Sequence, residues 1–156
     1  MWAPVAIFIA DNVISVARIK GREDVVLLNK WSVGWDSTLN LKKGDIVTLW
    51  SPSNPERLIT KRIIAMPGDC VVPLPVHSEG TPSLVRIPKG HCWVEGDESL
   101  HSVDSNTFGP VPLGIVNSKV GFVIWPPSRF GSINSNVPDW KRKRIYESGL
   151  TPYNGD

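Results

Sequence analysis

Short apolar runs that end at glycine, proline or aspartate fill most of this chain and limit what it can fold into. Such runs are too short for a core helix and are typical of strands joined by tight turns. The 156 residues include 14 prolines and 13 glycines, so turns are frequent and long helices are disfavoured. The sequence therefore predicts a mostly β domain. The predicted strands cover residues 24–28, 46–50, 58–65, 71–72, 84–87, 92–94, 115–116 and 120–125.

The chain opens with an apolar segment, residues 1–17, which is interrupted by Asp11 and Asn12. A membrane-spanning helix needs about 20 mostly apolar residues, so this segment is short and contains a costly acid. Its positive charges follow the apolar run, whereas a cleaved secretory signal carries them before it. We expect a truncated membrane anchor, and the alternative is a buried or amphipathic N-terminal helix.

Composition argues against several kinds of site. A net charge of +2 does not favour a nucleic-acid partner, and the one basic run, residues 141–144, is expected in a polar, disordered tail over residues 128–156. No phosphate-binding glycine loop is present, and the three histidines match no metal-ligand spacing, so we expect neither a cofactor nor a metal. Cys70 and Cys92 lack a CxxC spacing, which favours free thiols.

Lys61 is the one charged residue whose place in a strand suggests chemistry. By alternation it shares a face with Ile59 and Ile63, which are apolar and expected in the core. Burial disfavours the ammonium and lowers its pKa, which is how a lysine becomes a general base near neutral pH. The alternative is a lysine at a strand edge whose amine reaches water.

The turn at Gly96 is followed by a loop rich in hydroxyl and acidic side chains. One interpretation is a surface loop in which these groups bond to nearby backbone. The other is that they orient a catalytic group elsewhere in the chain, such as Lys61. The residues concerned are Ser99, Ser102, Asp104, Ser105 and Thr107.

Three segments in order resemble the characteristic boxes of type I signal peptidases, and the resemblance extends over about residues 16–127. Further details resemble the branch of that family that forms the mitochondrial inner membrane protease. The three boxes are residues 44–47 (GDIV), 61–69 (KRIIAMPGD) and 96–111 (GD, then SVDS and FGPV). The further details are residues 93–97 (WVEGD), 108–114 (FGPVPLG) and 125–127 (WPP).

The resemblance implies a signal-peptidase-like β domain over residues 18–127, tethered by an N-terminal helix. It implies a serine endopeptidase with a lysine general base, which removes sorting signals from proteins delivered to the intermembrane space. It also implies a location at the mitochondrial inner membrane, with the catalytic domain facing the intermembrane space. The implied partners are a related peptidase subunit, subunit 1 of that protease, and presequence-bearing precursor proteins.

Matched position by position, the family pattern assigns roles to three residues. Lys61 matches the general base, Ser102 matches the hydroxyl that orients the lysine amine, and Asp104 matches the acid that braces the loop. Bacterial members commonly carry arginine where this chain has Asn106. An ion pair from that position to Asp104 is therefore not expected here.

The resemblance fails at the nucleophile. The family's serine lies in a Ser-Met-x-Pro motif just after a strand similar to residues 16–21. Here Gly21 is followed at once by Arg22, and neither Met1 nor Met66 follows a serine. By that pattern a segment is missing at this junction. Because a lysine without a hydroxyl to activate cannot form an acyl-enzyme, we expect the chain to be inactive as written.

Three functions remain open on the sequence. The chain is an incomplete or variant form of a working peptidase, or a non-catalytic subunit that binds and stabilises a related active subunit. The third is an unrelated small β-barrel binding module, in which the surroundings of Lys61 and Ser102 are coincidental.

Overall fold

A computed structural model describes residues 14–19, 24–30, 41–75, 83–97 and 103–147. Over these residues strands are the main regular structure and helices are few and short, which confirms the predicted mostly β class. The strands are β1 (Ile14–Ile19), β2 (Asp24–Asn29), β3 (Ile46–Ser51), β4 (Asn54–Ala65), β5 (Cys70–Val71), β6 (Val85–Arg86), β7 (His91–Glu95), β8 (Val111–Pro112), β9 (Val116–Trp125), β10 (Gly131–Ser132) and β11 (Ile145–Tyr146). The two short helices are α1 (Ser105–Phe108) and α2 (Asp139–Arg142).

Eight strands form one antiparallel sheet in the order β1-β2-β9-β3-β4-β7-β8, with β10 paired to β9. A second sheet of three short strands has the order β11-β5-β6. The N-terminal anchor was predicted over residues 1–17. Residues 1–13 lie outside the described residues, and residues 14–17 lie in strand β1 rather than in a helix. In the part of the chain that is described, no helix has the length and apolar character needed to cross a membrane.

The predicted strands are found, but several of their bounds differ. β5 covers Cys70–Val71 and β6 covers Val85–Arg86, and the two strands predicted over residues 115–116 and 120–125 form the single strand β9. β4 begins at Asn54, earlier than predicted, because Asn54 pairs with Ser51 of β3 across a register shift that follows the Trp50–Leu58 pair. Residue 115 was predicted in a strand but ends a short 3-10 helix, Leu113–Ile115, and the strand starts at Val116. The amide of Val116 bonds the carbonyl of Leu113, which closes that helical turn.

The largest apolar cluster lies on one face of β3, β4 and β7. Ile63 and Val47 are fully buried there, and Ile59 packs against them. This is the face on which alternation places Lys61. The buried members are Leu41, Val47, Leu49, Ile63, Cys92, Val94, Val111, Leu113 and Val116.

A tight turn before β3 holds the start of that strand against β4. Gly44 has φ +94°, a conformation that favours glycine, and its amide donates to the carbonyl of Ile63 at 2.8 Å. The carboxylate of Asp45 accepts from the amide of Lys42 at 2.9 Å. A Cβ atom on Gly44 would lie 1.5 Å from the carbonyl oxygen of Ser135, so only glycine fits where the C-terminal segment crosses.

A disordered tail was predicted over residues 128–156, but residues 128–147 are ordered into short elements. This segment carries β10, α2 and β11, and it packs on the sheet through a buried acid. Arg144 donates to both carboxylate oxygens of Glu95, at 2.7 and 2.8 Å, and the Lys141 ammonium lies 3.3 Å from the same carboxylate. The side chains of Glu95 and Lys141 have no exposed surface. The basic run is therefore partly interior, because a buried acid on β7 binds two of its cations; residues 148–156 lie outside the described residues.

The pKa of Glu95 reflects this pairing. Burial alone would raise it, but hydrogen bonds from Arg144 and Trp93 and the charges of Arg144 and Lys141 hold it below its ordinary value of 4.5. The indole of Trp93 donates to the carboxylate at 3.0 Å. A carboxyl whose pKa is lowered by folding stabilises the protein above its unfolded value, and that stabilisation is lost as the pH falls through the folded value.

We expect Glu95→Gln to lower the free energy of unfolding by about 3–5 kcal/mol at pH 7, because the buried Lys141 and the mostly buried Arg144 would lose their anion. Urea unfolding followed by circular dichroism measures this. The matched control is Glu147→Gln, which removes an exposed carboxylate from Lys43 and should change stability little. The cost of Glu95→Gln should shrink below pH 4.5, and equal costs for both variants at pH 7 would contradict the proposed anchoring.

Candidate functional site

Lys61 lies in β4 opposite Val47 of β3, half-buried at the edge of the apolar cluster. Burial lowers the pKa of its amine below the ordinary value of 10.5. The Asp104 carboxylate opposes this shift, and the positive charges of Lys141 and Arg57 add to it. The net shift of the pKa is downward, so the neutral amine, which is the form that can accept a proton, is reached at a lower pH than in an exposed lysine.

The neighbouring residue, Arg62, points to the other face and fixes β4. Its guanidinium binds the Asp97 carboxylate through two hydrogen bonds, of 2.9 and 3.1 Å. It also donates to the backbone carbonyls of Gly44, Asn134 and Asn136, at 2.9, 2.8 and 3.2 Å. One buried cation thus joins β4 to the turn before β3, to the turn after β7 and to the C-terminal segment. These contacts fix the backbone of β4 from the face of the sheet opposite Lys61.

Asp104 organises the loop that follows β7. It is almost completely buried, and its carboxylate accepts from the amide of Gly96 at 3.1 Å and from the amide of Asn106 at 3.0 Å. The second bond caps the start of α1. The side chain of Asn106 adds a bond of 2.9 Å to the same carboxylate, so a neutral donor stands where an ion pair was not expected. The hydroxyl of Ser105 accepts from the amide of Val94 at 2.9 Å, which ties α1 to β7.

The predicted site residues can be compared with these positions. Lys61 and Asp104 are brought close enough for their charges to interact. Ser102 lies outside the described residues. Asn106 accepts from the amide of Leu74 at 2.8 Å, so the loop is also joined to the segment after β5.

The sequence did not indicate three buried charged residues near this site: Arg62, Glu95 and Lys141. The only available signal was for Arg62 and Glu95, which are charged residues inside apolar strands. Lys141 lies in a run of four basic residues, which gives no sign of burial.

The junction where a serine segment was expected lies between β1 and β2. These strands form an antiparallel hairpin in which Ile19 pairs with Asp24, so residues 20–23 connect them. Arg129 lies 2.7 Å from the carboxylate of Asp24 at the start of β2. The two strands that the family pattern separates by a serine segment are therefore direct neighbours in a short hairpin.

The cysteines and the candidate metal ligands can be located within residues 41–75, 83–97 and 103–147. Cys70 and Cys92 are free thiols there, and burial raises the pKa of Cys92 to about 12, which keeps it unreactive. In the described part of the chain, no three His, Cys, Asp or Glu side chains lie close enough to bind a metal ion.

Comparison with known proteins identifies a family and close relatives. The model of the family "Signal peptidase, peptidase S26" matches residues 5–73. A mitochondrial inner membrane protease subunit 2 from Danio rerio is 41% identical over 152 residues, covering 89% of this chain and 79% of that protein. The protein of the same name from Schizosaccharomyces pombe is 38% identical over 163 residues, covering 96% of this chain and 84% of that protein. A signal peptidase I structure from Enterococcus faecalis has a TM-score of 0.42 and 24% identity, covering 51% of this chain and 95% of that chain.

The lengths of these alignments show that the relatives contain positions with no counterpart in this chain. The alignment with the Schizosaccharomyces pombe protein spans 163 residues, although this chain has only 156 and is covered to 96%. The relative therefore has positions that this chain lacks.

We expect Lys61→Met to leave the free energy of unfolding at pH 7 unchanged or to raise it by about 0.5–1 kcal/mol, because a charged amine leaves an apolar site. Folding lowers the pKa of Lys61, so the cost of burying its ammonium is relieved as the pH rises toward 10.5. The advantage of the methionine variant should therefore shrink between pH 7 and pH 10.5.

Thermal unfolding at a series of pH values measures this difference. Lys42→Met, which changes an exposed lysine, is the control and should show no such trend. A clear loss of stability in Lys61→Met at pH 7 would instead mark Lys61 as a paired structural residue.

Proposed function

This chain belongs to the family of mitochondrial inner membrane protease subunit 2, within the signal peptidases of the S26 class, and we propose that it is a subunit of that serine-type protease. The relatives' names support a peptidase subunit at the mitochondrial inner membrane. The proposed substrates are precursor proteins delivered to the intermembrane space, whose sorting signals the protease removes. The observation that carries this proposal is Lys61, a half-buried lysine on an apolar face, with a lowered pKa and a buried acid nearby.

In the proposed mechanism Lys61 is the general base. Its neutral amine takes the proton from a serine hydroxyl, and the serine oxygen attacks the carbonyl carbon of the scissile peptide bond. The lysine then returns the proton to the leaving amine, and water hydrolyses the acyl-enzyme by the same route. Ser102 is proposed to orient the Lys61 amine, and Asp104 to hold the loop that carries Ser102. The contact between Asp104 and Gly96 supports this bracing role.

The nucleophile is what this chain lacks. We propose that a segment with the Ser-Met-x-Pro motif is missing between Gly21 and Arg22, and that the chain is inactive as written. The short β1–β2 hairpin supports this, and so do alignments that are longer than the part of the chain they cover. The proposed domain division follows the family: an anchor over residues 1–17 and a peptidase domain over residues 18–127, to which residues 128–147 also pack.

The missing serine favours a second candidate function. The chain would act as a non-catalytic subunit that binds and stabilises a related, active peptidase subunit of the same membrane complex, with its domain facing the intermembrane space. The buried apolar clusters of the described residues support this function, because they form without the serine segment. A stabilised partner would show a raised melting temperature when mixed with this chain.

A grafting experiment tests the peptidase proposal. The chain alone should not cleave a presequence-bearing precursor, whereas the chain with a relative's Ser-Met-x-Pro segment inserted between Gly21 and Arg22 should cleave it. In the grafted chain Lys61→Met should reduce the cleavage rate by roughly 1,000-fold or more, since the serine loses its base. The control is Lys89→Met, an exposed lysine, which should keep the rate.

Cleavage by the ungrafted chain that disappears in Lys61→Met would overturn the proposed inactivity. A grafted chain that folds but cleaves equally well with and without Lys61 would overturn the proposed base. Sequencing of transcripts across the codons for Gly21 and Arg22 separates the two candidate functions. A transcript that includes the motif indicates a working peptidase, and its consistent absence favours the non-catalytic subunit.

A further inference from the structure

Lys141 is a fully buried lysine that the proposed mechanism does not use. It lies in α2, which begins directly after Pro138, and no part of its side chain is exposed. Burying an ammonium is costly unless it is paired and hydrogen-bonded. The position of this charge therefore needs a reason.

Charge neutralisation does not supply that reason. The Glu95 carboxylate already receives two short hydrogen bonds from Arg144 and one from the indole of Trp93. Lys141 is a second cation on this single acid, at the longer distance of 3.3 Å. The cluster of Glu95, Arg144 and Lys141 therefore carries one positive charge in excess.

The shortest contact of Lys141 is with the backbone at the end of β7. Its ammonium donates to the carbonyl of Gly96 at 2.5 Å, while the Asp104 carboxylate accepts from the amide of the same residue at 3.1 Å. Both backbone polar groups of Gly96 are thus held by charged side chains from different segments. In the ladder between β4 and β7, Arg62 pairs with Glu95. Continuing this register by one residue places Gly96 across from Lys61.

We propose that Lys141 is a positioning residue for the Lys61 site: together with Asp104 it fixes Gly96 opposite Lys61, and its surplus charge disfavours a second ammonium there. The inference rests on the proposed role of Lys61 as general base. It makes the C-terminal segment part of the reaction machinery, although the sequence predicted a tail.

The charges that face Lys61 agree with this proposal. Asp104, from the loop before α1, favours the ammonium form of Lys61. Lys141, from α2, and Arg57, from the exposed first half of β4, oppose it. Asp104 raises the pKa of Lys61, whereas burial, Lys141 and Arg57 lower it. Removing the charge of Lys141 would therefore raise the pKa of Lys61 and favour its ammonium form.

The test is a titration of the Lys61 amine by NMR in the full-length chain uniformly labelled with ¹³C and ¹⁵N. The Lys61 signal is assigned by its loss in Lys61→Met. Lys141→Met should move the titration midpoint of Lys61 upward and change the amide signal of Gly96. Lys141→Gln keeps a donor without the charge, so it should move the midpoint upward while Gly96 changes less.

Two further variants complete the design. Lys141→Arg keeps the charge and should restore the low midpoint, which a merely structural role would not require. Lys143→Met removes an exposed lysine from the end of the same helix and should leave the midpoint unchanged. If Lys141→Met does not fold, Lys141→Gln carries the test.

The outcomes separate this inference from the proposed function. An unchanged Lys61 midpoint in folded Lys141→Gln and Lys141→Met overturns the role of Lys141 while leaving Lys61 as base. A Lys61 amine that titrates near 10.5 in the unsubstituted chain overturns the base itself. A midpoint that is low in the unsubstituted chain, rises in both neutral variants and returns in Lys141→Arg supports the inference.

Discussion

The carboxylate of Glu95 is out of contact with water, and much of the molecule is arranged to satisfy it. Three groups bind it directly: the guanidinium of Arg144, the indole of Trp93 and, at a longer distance, the ammonium of Lys141. Two of these come from the end of the chain, so the last segment is held on the sheet by charge as well as by apolar contact. Breaking such a buried pair is far more costly than breaking an exposed one.

The alternation of β4 determines what can happen on each face of the sheet. Lys61 and Ile63 point toward the apolar cluster, while Arg62 between them points to the opposite face and binds four partners there. Neighbouring basic residues therefore have opposite tasks. One is structural, because its guanidinium binds the Asp97 carboxylate and three backbone carbonyls. The other is half-buried, and burial lowers the pKa of its amine, as the proposed general base requires.

The sequence predicted the strands and the place of Lys61 on an apolar strand face, because both depend on local patterns. Alternation around Lys61 is visible within a few residues, and so are the glycine–aspartate turns that end the strands. The sequence could not predict the burial of Lys141, because the groups that bind its ammonium lie far away along the chain. A run of basic residues looks the same in the sequence whether it faces water or pairs with a buried acid. The segment was therefore predicted to be a tail. By contrast, the absence of the Ser-Met-x-Pro motif can be read directly from the sequence.

The contact between Gly96 and Lys141 joins residues 45 positions apart, and this has a consequence for how the protein is made. During synthesis β7 emerges well before α2, so Glu95 exists for a time without either of its cations. A buried unpaired acid is unfavourable, and this end of the sheet should therefore stay open to water until most of the chain has been translated. If translation stalls before residue 141, we expect this end of the sheet to remain unfolded. A chaperone that binds late in synthesis would bind the chain in that state.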